Sequence, residues 1–163
     1  MITNADLVYP LHQAAKRGNL ARLSALLTQL SAKLEDDAER ISAIINTPDD
    51  ANLTPLHHAV LAHAPSVIEK LLAFGADANA EGPSRHTPLH LASASAIECI
   101  QVLIENGGAL VNATDASCQT PVHIAAANNN AVAISYLLDM GAKVNAQDAV
   151  LGMTTHSHSR QLG

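Results

Sequence analysis

A tetrapeptide returning on a fixed interval constrains this chain more than any other feature. Thr54-Pro55-Leu56-His57 recurs as Thr87-Pro88-Leu89-His90 and as Thr120-Pro121-Val122-His123, each step being 33 residues. Ala59, Ala92 and Ala125 follow the histidines in the same register. Gly75-Ala76 returns as Gly108-Ala109 and Gly141-Ala142, and Asn79-Ala80 as Asn112-Ala113 and Asn145-Ala146. Self-similarity at this period marks stacked units, each burying one side against its neighbour.

Each unit reads as helix, turn, helix, hairpin. Thr54 has the hydroxyl of an N-cap, and Pro55 sits where a missing N–H costs nothing. After a small turn, Val67, Ile68, Leu71 and Leu72 share one face of a second helix, which Gly75 ends as a left-handed C-cap. Apolar residues make up 48% of the chain but aromatics only 2%, so the core must be built from Ala, Leu, Ile and Val. Such small side chains suit closely stacked helices.

The segments TPLHHAV and LLAFGADANA, with the copies LIENGGALVNA and LLDMGAKVNA, resemble the ankyrin repeat over roughly residues 9–150. The resemblance implies an all-α solenoid of about four repeats, with hairpin fingers projecting from paired helices. The expected repeats are about 8–45, 53–82, 86–115 and 119–148. Residues 151–163 are expected to be frayed or an incomplete fifth repeat, because Leu151-Gly152-Met153-Thr154-Thr155 begins the pattern and His156-Ser157 breaks it. The resemblance also makes His12, His57, His90 and His123 structural groups that tie neighbouring repeats together.

The departures are local. His90 to Leu103 is one residue shorter than His57 to Leu71, and Gly107-Gly108 restores the register. This predicts a tightened turn near Ser93 to Ala96 and a loosened one after the helix. Gly18, His63 and Asn129 hold equivalent turn positions, where a positive φ is expected. In the first repeat Tyr9-Pro10 replaces Thr-Pro. His12 lies 45 residues before His57, so 12 residues are inserted, between about Thr28 and Ile45. Within 28–45, Leu30, Leu34, Ala38, Ile41 and Ile45 keep helical spacing, and Asp36 with Glu39 resembles a capping box. One unbroken helix would carry the chain ~18 Å further. The expectation is therefore a lengthened second helix, a break near Glu35 to Asp37, and a short returning helix.

Charge and motifs narrow the function classes. The formal charge is −6, from 9 basic and 15 acidic residues, with no basic cluster to track a phosphate backbone, so nucleic acid is not expected as a partner. The sequence has no signal-like start and no apolar run of membrane-spanning length, which predicts a cytoplasmic protein without a membrane partner. Cys99 and Cys118 form no CxxC or metal spacing and read as reduced thiols. Four repeat histidines on four separate units do not converge on one ion, and His156-Ser157-His158 reads as tail. Serines lack a nucleophile elbow and the glycines end helices. No cofactor, metal or catalytic group is expected.

The resemblance places binding on the finger tips and on the exposed side of the first helices, against a protein or peptide partner. The finger positions are Asp49, Asp50, Asn52, Glu81, Ser84, Arg85, His86, Asp115, Ser117 and Gln119. The helix positions are Lys16, Arg17, His58, Leu61, Leu91, Ala94, Ile124 and Asn128. Glu35, Asp36, Asp37, Glu39, Asp49 and Asp50 form an acidic surface between the first two repeats. Two readings follow: a scaffold, adaptor or inhibitor, or the targeting part of a larger enzyme or secreted effector. The apolar last repeat, with Ala125-Ala126-Ala127 and AVAISYLL, predicts that the C-terminal face is covered by further chain, a second copy or a partner. Asn79, with Leu71 and Asp77 upstream, also fits the pattern that the resemblance gives for asparaginyl hydroxylation.

Overall fold

A computed structural model of the 163-residue chain describes residues 4–35, 37–94 and 96–143, and side chains from Val8 onward. The expected fifth repeat at 151–163, the histidines at 156 and 158, Asn145 and the end of the fourth repeat lie outside the described residues. The elements are α1 (Asn4–Lys16), α2 (Leu20–Lys33), α3 (Ala38–Ile45), α4 (Pro55–Leu61), α5 (Pro65–Ala73), α6 (Pro88–Ser93), α7 (Ile97–Glu105), α8 (Pro121–Ala127) and α9 (Ala131–Asp139). No strand forms among the described residues; the fingers are tight turns.

The helices make two layers. α1, α4, α6 and α8 pack in sequence along one side, and α2, α5, α7 and α9 along the other. Each pair shares an apolar seam: Leu56, Ala59 and Val60 of α4 against Val67, Ile68 and Leu71 of α5, all at most 1% exposed. Burying each Leu or Ile contributes roughly 2 kcal/mol. Alanines at the inner positions, such as Ala59, Ala92 and Ala125, let consecutive first helices approach closely.

The Thr-Pro starts behave as their chemistry requires. Thr54, Thr87 and Thr120 stand in extended conformation before the helix, and each forms a reciprocal capping box with the histidine three residues on. Tyr9 lacks the short β-hydroxyl with which threonine caps, and α1 runs through Pro10 from Asn4, ahead of the expected boundary at about residue 8. The interhelical turns carry left-handed residues at Gly18 (φ 60°), His63 (51°) and Asn129 (55°), as expected.

The third repeat shows how the shortened stretch is absorbed. In the other repeats the turn closes with an amide bonding the carbonyl five residues back: Asn19 to Ala14, Ala64 to Ala59, Asn130 to Ala125. Here Ala96 bonds Ala92, four back. The second helix therefore starts one residue early, and its buried residues, Cys99, Ile100 and Leu103, fall 32 residues after Val67, Ile68 and Leu71. The compensating turn is not loose. A Cβ on Gly107 would lie 2.8 Å from the Leu103 carbonyl, 2.9 Å from Ala78 Cβ and 3.0 Å from Leu72 Cδ2.

The insertion folds as a lengthened α2, a break, and α3 packed back on α1. Leu30 at its start and Ile41, Ile44 and Ile45 at its end are all buried. The cap differs from the expected Asp36–Glu39 box: Asp37 is the N-cap, and its carboxylate accepts from the Arg40 N–H at 3.2 Å. Placing the cap at Asp37 puts Ile41, Ile44 and Ile45 on one face.

Candidate functional site

The fingers share one turn. Asp49, Gly82 and Asp115 stand 33 residues apart. Each backbone N–H bonds the carbonyl four residues on, at Leu53, His86 and Gln119, and each carbonyl accepts from the N–H three residues on, at Asn52, Arg85 and Cys118. Those last three residues are all left-handed, at φ 58°, 59° and 61°. The sequence reading missed this register, because Asn, Arg and Cys share no side-chain chemistry and only the backbone repeats.

Asp49 and Asp115 brace their turns further. Oδ1 of Asp49 accepts from the N–H of Ala51 and Leu53, and Oδ1 of Asp115 from the N–H of Ser117 and Gln119. Each Oδ2 meets a histidine: His58 Nε2 at 2.7 Å and His86 Nε2 at 3.1 Å. His58 belongs to the next helix and His86 to the previous finger, so one bond is supplied from either side. Burial raises the Asp49 carboxyl, but the His58 bond and the two amides outweigh it and leave it below the usual carboxylate range. A further link joins the tips, where the Ala116 N–H donates to the Ser84 carbonyl at 2.9 Å.

Beneath the fingers lies a histidine ladder. The Thr54 N–H donates to His57 Nδ1 at 3.2 Å, which leaves Nε2 carrying the proton and donating to the His86 carbonyl at 3.2 Å. His90 repeats this with Thr87 and the Gln119 carbonyl, at 3.2 and 3.1 Å. Burial pushes the imidazoles of His57 and His90 down, and the carbonyl bonds offset this only in part. His12 differs because it has no capping threonine: its ring nitrogens lie 2.8 Å from the Val8 carbonyl and 3.2 Å from the Leu53 carbonyl. A neutral ring donates to only one of these at a time.

The predicted binding positions separate in space. Lys16, Arg17, Asp50, Asn52, Leu61, Glu81, Ser84, Arg85, Ser117 and Asn128 are exposed, while Asp49, His86, Leu91 and Gln119 are half-buried. His58 (8% exposed) and Asp115 (3%) lie inside, where they hold the turns instead of facing outward. Glu81 and Arg85 pair across one tip at 3.2 Å.

Leu61, His86 and Leu91 come together with Val60, His63, His90, Ala94 and Ile124 around a groove of about 280 Å³. Its lining combines aliphatic side chains from α4, α6 and α8 with the imidazoles of His63, His86 and His90. Leu61 is 51% exposed there. Arg17 lies elsewhere, in a hollow with Tyr9 and Arg22. The signal that could have separated them was present: Tyr9, Gln13 and Arg17 recur every four residues on one helical face.

Asn46, Asn79 and Asn112 form a second ladder along the opposite edge. The Asn46 carbonyl oxygen accepts from the Asp77 N–H at 2.7 Å and its amide donates to the Gly75 carbonyl at 2.9 Å. Asn79 bonds Leu110 and Gly108, and Asn112 bonds Lys143 and Gly141, in the same way. The Asn79 amide is thus engaged with the next repeat, and Leu71 is fully buried.

Family comparison joins this geometry to a known class. A family model for ankyrin repeats (3 copies) matches residues 56–148, and one for ankyrin repeats (many copies) matches residues 11–72. The chain belongs to the ankyrin-repeat family. Ankyrin repeats are generally protein–protein interaction modules. No curated protein matches this ankyrin chain. Among its described residues no helix is long and apolar enough to cross a membrane, and no cluster of three or more His, Cys, Asp or Glu could hold a metal ion.

Proposed function

We propose that this ankyrin stack is a non-catalytic scaffold, adaptor or inhibitor that holds a protein partner in the groove between the fingers and the first helices. The observation that supports this is the exposed aliphatic floor. Leu61, Leu91, Ala94 and Ile124 come from three consecutive repeats yet line one hollow, Leu61 and Ala94 exposed, Leu91 and Ile124 half-buried. Interfaces place such apolar centres inside a polar rim, and here Asp50, Asn52, Ser84 and Ser117 supply exposed polar tips. The braced finger turns hold those tips in place, so little ordering entropy is lost on binding.

The paired variant Leu61→Glu/Leu91→Glu tests this. Leu61 is exposed and Leu91 half-buried, so an unchanged thermal midpoint verifies folding of the variant, and affinity capture from the source cell loses its partner. Retention of the same partner by that variant, while a change at Glu98 on α7 abolishes capture, would place binding on the other side. The exposed Val132, Leu138 and Met140 of the last described repeat belong to the same reading as a contact face for further chain, a second copy or a partner.

A further inference from the structure

We propose that the N-terminal end of the stack is a second docking surface, which takes a carboxylate-rich, acidic segment of a partner protein. A hollow of about 310 Å³ opens there, lined by Tyr9, Pro10, Gln13, Arg17, Asn19 and Arg22. It shares no lining residue with the groove under the fingers. Tyr9 and Gln13 occupy successive turns on one face of α1, Arg17 follows just past its end with its N–H on the Gln13 carbonyl at 3.2 Å, and Arg22 belongs to the first turn of α2.

The charges at this end are uncommitted. Arg17 and Arg22 are exposed, and among the described residues neither has a carboxylate within ion-pairing distance, whereas Arg85 is held by Glu81. On a chain of net charge −6, the described side chains lining this hollow carry positive charge only, set apart from Asp49, Asp50 and Glu81 on the fingers. A repeat array needs a polar face at its end, and that need accounts for the arginines. It does not account for Tyr9, which at 68% is the most exposed of the large apolar side chains among the described residues. An exposed tyrosine and two arginines lining one hollow combine residue types that dominate binding hot spots.

The chemistry selects the occupant. Each guanidinium presents a planar fork of donors that matches a carboxylate with two parallel hydrogen bonds. Tyr9, Pro10 and Ala14 add an apolar floor for one side chain of the same segment. Two guanidinium groups on a strongly acidic protein are too few to hold a phosphate backbone. An acidic peptide with one apolar anchor satisfies both halves of the hollow, and its association weakens as salt screens the charges.

The test is selection of a random dodecapeptide phage library on the full chain, followed by fluorescence anisotropy of enriched peptides against Tyr9→Ala and Arg17→Ala/Arg22→Ala. All three side chains are exposed, and an unchanged thermal midpoint verifies folding of each variant. The expected result is enrichment of Asp- and Glu-rich peptides carrying an apolar residue. Their affinity falls about ten-fold or more in each variant and falls with added salt, and Leu61→Glu/Leu91→Glu leaves it unchanged. Absence of acidic peptides from the enriched pool would overturn the proposal, as would acidic peptides that bind the arginine variant equally well. A single-stranded DNA oligonucleotide competing for the same arginines with similar affinity would overturn the choice of a protein segment.

Discussion

Asn46 makes three bonds at once, to Ser42 Oγ, to the Gly75 carbonyl and from the Asp77 N–H, while Asn79 makes two, one of them long at 3.4 Å. Truncation removes these bonds and unpairs the Asp77 N–H or the Leu110 N–H, while the Gly75 carbonyl keeps its bond from the Ser42 hydroxyl, so Asn46→Ala is expected to lower stability by about 2 kcal/mol and Asn79→Ala by about 1 kcal/mol. Urea denaturation of the two variants checks the order. The histidine ladder sets the pH response. Burial depresses His57 and His90 in the folded chain, so the unfolded chain takes up protons first and stability rises with pH. Their contribution is full above about pH 6.5, the unfolded value, and is lost as the pH falls from there through the folded values. The depressed Asp49 carboxyl adds a further loss below about pH 3.8. Urea midpoints should therefore fall between pH 7.5 and pH 5, and the fall should shrink in His90→Asn; a midpoint that rises on acidification would contradict the neutral assignment. At this scale the sequence was legible where side chains repeat, as in the Thr-His and Asn positions. It was not legible where only the backbone repeats, as at Asn52, Arg85 and Cys118, or where a cap moves by one residue, as at Asp37.

Among the elements, the third repeat and the insertion depart most from the period. The sequence revealed both, through spacing, but not how tightly each is packed. Gly107 looked like slack, yet it is the point where the second repeat's Leu72 and Ala78 press against the chain. Any side chain there must displace the Leu103 carbonyl, so Gly107→Ala is expected to cost about 1–3 kcal/mol. Gly108→Ala at φ 64° meets no close neighbour and tests backbone strain alone; calorimetry on the pair separates the two effects. In the insertion, α3 packs on α1 through a face that buries Ile41, Ile44 and Ile45, and it is tied to the second repeat by the Ser42 hydroxyl, which donates to the Gly75 carbonyl at 2.8 Å. It is a structural part of the first interface, not a loose loop, and Ile45→Ala should cost about 2–4 kcal/mol.

Across the whole molecule, a one-dimensional stack with two ladders gives a rigid frame, and rigidity is what lets side chains from three repeats define one groove. The period fixed the fold class directly, because every framework residue answers to its counterpart in the next unit. The groove was only partly legible. Leu61, Leu91 and Ile124 could be placed on the first helices, but their convergence with His63, His86 and Val60 depends on the stacking angle, and the inward turn of His58 and Asp115 depends on finger hydrogen bonds. We propose that partners are held in that groove. Its most direct test places a photo-crosslinking benzoylphenylalanine at Leu91, and in a second variant at exposed Glu98 on α7, each expressed in the source cell. A discrete crosslinked protein is expected from position 91 and none from position 98. Crosslinking from position 98 with none from position 91 would contradict it.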